Sequence, residues 1–92
     1  MGAIRELFWN EENEEHIARH HVTPKEVEEV CFGRHWMIKS GRRRKAVFGQ
    51  TDAGRYLLVI VEMWDYGEYL VITAREMDQT ERRRYQMWRG AR

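Results

Sequence analysis

The apolar positions of this chain change period once, near Gly33, and that switch restricts the fold more than any other feature. Upstream, Val27, Val30 and Cys31 recur at helical spacing. The same segment carries its own start signals: Thr23 as N-cap, Pro24 at the first helical position, Glu26 completing a Thr-x-x-Glu capping box, and Gly33 as the stop. An earlier helix is marked by Asn10 as cap and by Glu11 and Glu12 in the first turn, and runs to about His20. Asn13, Ile17 and His20 fall on one face of it. Downstream the segments Trp36 to Lys39, Arg44 to Gly49, Tyr56 to Trp64 and Tyr69 to Arg75 read as strands. Turn signals at Ser40-Gly41, Thr51-Asp52-Ala53-Gly54 and Asp65-Tyr66-Gly67 separate them. Tyr56 to Trp64 is apolar on both faces, as a mid-sheet strand must be, and Ile4 to Trp9 reads as a short edge strand. Asp78, with Glu81 three positions on, caps a last helix whose Glu81, Tyr85 and Trp88 share a face. The pattern predicts one α+β domain over residues 1–92: two N-terminal helices, an antiparallel meander of about four strands and a C-terminal helix. The helices are expected on one face of the sheet, with the other left partly open.

Function classes narrow quickly. Cys31 has no second cysteine to pair with, which fits a reducing compartment. The longest apolar run, Tyr56 to Val61, is far short of the roughly 20 residues of a membrane helix, and Arg5, Glu6, Asn10, Glu11 and Glu12 stand where a signal peptide needs apolar residues. The expectation is a cytoplasmic protein with no membrane partner. The net charge of +1 conceals an asymmetry. Residues 1–30 hold eight acids against three bases, and the remainder thirteen bases against seven acids. A basic portion of this kind can collect phosphate.

Four groups of residues could carry chemistry. Arg75 ends the most apolar hairpin, and its planar fork suits a phosphate; the alternative is a salt bridge to a helix carboxylate such as Glu81. Arg42-Arg43-Arg44-Lys45 is the densest positive run, and Arg82-Arg83-Arg84 repeats it on the last helix; each is either a clamp on an RNA backbone or a solvated face. Interleaved aromatics offer stacking for single-stranded RNA, but core packing is the better reading of Trp36 and Trp88. His16 and His20, four apart with His21 alongside, are suited to chelate zinc, yet lack a third ligand at an obvious spacing and the His-Glu-x-x-His order. They read first as helix-end structural residues and next as groups for acid/base work or phosphate contact, and no metal or cofactor is expected. Cys31 lies on an apolar stripe and reads as core.

Leu7-Phe8-Trp9-Asn10 followed by Asn13 to Pro24 resembles the opening of the BrnT-type toxins, where a Trp-Asp pair leads into a helix ending Lys/Arg-His-Gly-Val. Gly54-Arg55-Tyr56-Leu57-Leu58-Val59 is similar to the family's central strand. Ile72-Thr73-Ala74-Arg75, with Thr80-Glu81-Arg82-Arg83-Arg84-Tyr85, is similar to its closing Ser/Thr-Ala-Arg…Glu-Arg…Tyr signature. The resemblance implies a RelE-like fold and the toxin of a type II toxin–antitoxin pair, a metal-independent RNA endonuclease that inhibits translation by cutting mRNA. Attack by the ribose 2′-OH would leave a 2′,3′-cyclic phosphate. It further implies a ribbon-helix-helix antitoxin encoded alongside, with operator DNA contacted only through that antitoxin. Carried over residue by residue, the resemblance assigns Arg75 to stabilise the transition state, and Arg44 to the arginine of the family's Arg-x-x-x-Ile-Gly strand, with Phe48 in place of Ile. Tyr85 is assigned to proton transfer or substrate holding, and His20 to acid/base work or to locking the helix end. Arg42, Arg43, Lys45, Arg83 and Arg84 are the expected RNA contacts. His21 departs from the family, which has Gly there. A non-catalytic RNA- or protein-binding module of the same fold is the competing expectation.

Overall fold

The computed structural model describes residues 3–90. Five strands, β1 (Glu6–Phe8), β2 (His35–Lys39), β3 (Arg44–Gln50), β4 (Tyr56–Asp65) and β5 (Glu68–Glu76), form one sheet in the order β1-β5-β4-β3-β2. The last four make the antiparallel meander, and β1 adds to its edge in parallel with β5. Three helices, α1 (Glu11–Arg19), α2 (Pro24–Phe32) and α3 (Gln79–Gly90), complete the domain. The expected α+β architecture and element order are therefore present, including the edge strand.

Local chemistry places the helix ends. The Asn10 side chain accepts from the Asn13 N–H, and Thr23 and Glu26 satisfy each other's backbone donors in a full capping box. Asp78 and Glu81 do the same for α3, at 2.8 and 2.9 Å. Such caps matter because the first four N–H groups of a helix have no partner within it.

The expectation that all helices share one face of the sheet is corrected. Ile17 and Val22 at the end of α1, with Val27, Val30 and Cys31 of α2, pack on Val47, Leu57, Val59, Val61, Tyr69, Val71 and Ala74. On the opposite face Tyr85 of α3 joins Ala46, Phe48, Leu58 and Met77, flanked by Trp36, Tyr56, Ile60 and Trp88. The cause is visible in β3 and β4. Both present apolar side chains on both faces, so one helical layer leaves half of that surface wet.

Strand β5 departs from simple alternation. Simple alternation groups Val71, Thr73 and Arg75 on one face, yet Val71 and Ala74 share the α1–α2 core. The register shifts between Ile60, opposite Thr73, and Val61, opposite Val71, so Ile72 is an extra residue in the ladder. This β-bulge reverses the faces beyond it. Thr73 and Arg75, opposite Ile60 and Leu58, thereby come to the α3 face.

Candidate functional site

At one end of the sheet, the C-terminus of α1, the start of β4 and the end of β5 converge on a cleft of about 420 Å³ lined by Arg19, His20, His21, Arg55, Arg75 and Glu76. Each wall is set by a local device. Helix α1 stops in a Schellman turn: the Val22 N–H donates to the Ile17 carbonyl at 3.1 Å and the His21 N–H to that of Ala18 at 2.9 Å. Val22 and Ile17 are both buried, which supplies the apolar contact that accompanies this motif. The turn leaves His20 and His21 exposed at the mouth of the cleft.

Arg55 fixes these walls to one another. Its Nη1 donates to the His21 carbonyl at 2.8 Å and to both Glu26 oxygens at 3.0 Å, while Nε and Nη2 reach Glu76 Oε2 at 3.3 and 3.1 Å. The end of α1, the cap of α2 and the end of β5 thus meet on one guanidinium. Burial pushes the Glu26 carboxyl up, but hydrogen bonds from Thr23 and Arg55 outweigh it and hold Glu26 below the ordinary carboxylate range.

Arg75 is engaged differently. Its Nη1 and Nη2 each donate to one oxygen of Glu81 at 2.9 Å, and Nη1 also donates to the Glu76 carbonyl at 3.0 Å. The Glu81 hydrogen bonds raise the Arg75 pKa and lower that of Glu81. The Arg75 side chain nevertheless stays 41% exposed, so it is paired without being buried.

Of the four residues assigned to catalysis, the fold brings Arg75 and His20 to this cleft and the other two elsewhere. Arg44 shares the α3 face with Arg75 but pairs with Glu62 in register, whereas Arg75 pairs with Leu58. Four residues along β4 separate those levels, roughly 13 Å at the rise of a strand. Arg44 also forms its own ion pair, Nη2 to Glu62 at 3.5 Å. It lies with Arg42 and Arg43 around a separate hollow at the far end of the sheet. Lys45 points to the opposite face, and Arg83 and Arg84 stand exposed on α3. Tyr85 is only 1% exposed, stacked on Trp88 and edge-on to Tyr56, so in this conformation it is a core residue out of reach of a substrate in the cleft. Trp36 stacks on Trp88 and packs against Phe48, as the core reading expects. Cys31 is buried, and burial pushes its thiol up to about 12.

The His16 and His20 rings lie 5.5 Å apart, and among the described residues no group of three His, Cys, Asp or Glu side chains is placed to hold a metal ion. Among the same residues no helix is long and apolar enough to cross a membrane. Sequence reasoning missed Arg19 and Arg55 as parts of the site. Arg55 follows a turn and immediately precedes the central strand, but its carboxylate partners stand 29 and 21 positions away, beyond the reach of any local pattern.

No protein-family model matches the chain, and no curated protein matches it. Among solved structures it is similar to the ribonuclease toxin BrnT of Brucella abortus, at 18% sequence identity and a TM-score of 0.66. That likeness covers 80% of this chain and 97% of the toxin. The sheet, its flanking helices and their order are accordingly those of the BrnT fold.

Proposed function

We propose that this protein is the toxin of a type II toxin–antitoxin pair and cleaves RNA without a metal ion at the cleft formed by His20 and Arg75. The observation that carries the reading is the joint placement of an exposed imidazole and a half-exposed, hydrogen-bonded guanidinium in one cleft of a BrnT fold. Imidazole is the side chain best suited to take and return a proton near neutral pH. In the proposed reaction His20 withdraws the proton of a ribose 2′-OH, whose oxygen attacks the adjacent phosphorus. Arg75 offsets the charge that develops on the phosphoryl oxygens, and the 5′-oxygen leaves with a proton taken from solvent, giving a 2′,3′-cyclic phosphate and a free 5′-hydroxyl end. A guanidinium already fixed in place costs no reorganisation as that charge builds. Arg19, exposed on the rim, would hold the RNA backbone. Arg42, Arg43 and Arg44 lie too far along the sheet to touch the same phosphate, and extend the track for a longer strand. The proposal includes a ribbon-helix-helix antitoxin that covers the cleft, contact with operator DNA only through that antitoxin, and action in the cytoplasm.

Inducible expression in a bacterial host tests this. Growth arrest is expected, relieved by the adjacent small gene and abolished by Arg75→Ala; unaltered growth on expression of folded protein would contradict it.

Two observations favour a second reading, a non-catalytic RNA- or protein-binding module. Arg44, Arg55 and Arg75 each have a carboxylate partner, and the tyrosine of the closing signature is buried. That reading is distinguished by RNA binding that leaves the strand intact.

A further inference from the structure

A guanidinium carries five N–H donors in one plane, arranged as two usable forks: an end-on edge through Nη1 and Nη2, and a side-on edge through Nε and Nη2. Arg55 has both edges occupied, since Glu76 takes the side-on pair and Glu26 with the His21 carbonyl takes Nη1. Arg75 uses three of its donors: two end-on to Glu81, and the remaining Nη1 hydrogen to the Glu76 carbonyl. Its Nε and second Nη2 hydrogens have no protein partner among the described residues, and they form one complete side-on fork. We infer that Glu81 is a positioning residue, whose carboxylate grips Arg75 end-on and so presents the side-on fork to a phosphate in the cleft that Arg75 lines.

The carboxylate does not need to leave for the anion to bind. Glu81 is itself held, accepting from the Asp78 N–H at 2.9 Å as the third residue of the α3 capping box. The helix start therefore fixes Glu81, and Glu81 fixes the plane of the guanidinium. A long side chain otherwise free to rotate is ordered before substrate arrives, which reduces the entropy lost on binding. The ligand class is a phosphate monoester or diester oxygen pair, which matches the spacing of one fork. The inference rests on the ribonuclease reading for its substrate, but the fork can be tested apart from it.

Two variants separate the roles. Glu81→Gln preserves a residue able to complete the capping box while removing the carboxylate that accepts two parallel bonds. Arg75→Lys keeps the charge and removes the fork. In 15N-labelled protein, the Arg75 Nε–H signal is assigned by its disappearance in Arg75→Lys, and inorganic phosphate is titrated in. A saturable shift of that signal is expected in the parent protein. Affinity for phosphate is expected to fall about tenfold in Glu81→Gln, although the variant is one charge more positive, and by a similar factor in Arg75→Lys. Helix content by circular dichroism is expected to be retained. An unmoved Nε–H signal would overturn the inference. So would phosphate binding as tight or tighter in Glu81→Gln, the result for a carboxylate that competes with the anion. RNA cleavage with an unmoved signal removes the fork and leaves the ribonuclease reading standing. A responsive signal without cleavage does the reverse.

Discussion

His21 is the only described non-glycine residue in the left-handed region, with φ of 60°. It sits at the position after the α1 cap where a Schellman turn demands that conformation, and where an L side chain with a Cβ is strained by roughly 1–2 kcal/mol. The BrnT-type pattern that the sequence resembles has Gly at this point. His21→Gly is accordingly expected to raise stability by about 1 kcal/mol, or some 4 °C or more in melting temperature for a domain of this size. A melting curve by circular dichroism checks it, and a lower midpoint would show that the imidazole makes a compensating contact. Tyr85 gives the opposite lesson. Its buried ring packs between Tyr56 and Trp88, so Tyr85→Phe is expected to leave the fold and the proposed RNA cleavage intact. Tyr85→Ala is expected to cost about 3–5 kcal/mol in denaturant unfolding, as other large-to-small aromatic changes in a core do. Loss of cleavage in a stable Tyr85→Phe would restore the hydroxyl to the reaction.

Among the elements, the capped helix starts were legible in the sequence because caps are local: Asn10, Thr23 with Pro24 and Glu26, and Asp78 with Glu81 all act within four residues. Strand β5 was not fully legible. One extra residue, Ile72, reverses the alternation, and nothing in Val71-Ile72-Thr73 announces a bulge. The second helical layer was signalled by the two-faced apolar pattern of β4, yet the side that α3 takes depends on contacts made only after folding. The same helix starts are expected to make the fold sensitive to acid. Glu26 and Glu81 both sit below the ordinary carboxylate value of 4.5 in the folded protein. Depressed folded pKa values mean that the unfolded chain takes up protons first as pH drops. Their contribution to stability is thus complete above about pH 4.5 and is lost as pH falls through the lower folded values. Urea unfolding at several pH values should show this decline, and the double variant Glu26→Gln/Glu81→Gln should show a flatter one below pH 4.5. Equal slopes for the two proteins would assign the acid sensitivity to other carboxylates.

Over the whole molecule, the residues that define the cleft come from three separated parts of the chain: the end of α1, the start of β4 and the end of β5. The sequence pointed to His20 and Arg75 individually, and even to Glu81 as a partner of Arg75. It did not reveal that Arg44 would stand at the far end of the sheet or that Arg55 would join three elements, because both follow from strand register. The fold is that of BrnT, while the proposed chemistry rests on the geometry of one cleft. The direct test is to incubate purified protein with a single-stranded RNA in excess chelator and to analyse the fragment ends. Cleavage to 2′,3′-cyclic phosphate ends is expected, reduced by about 100-fold or more in His20→Ala and in Arg75→Ala. Intact RNA with folded protein, or full cleavage by both variants, would contradict a catalytic role for the His20–Arg75 cleft.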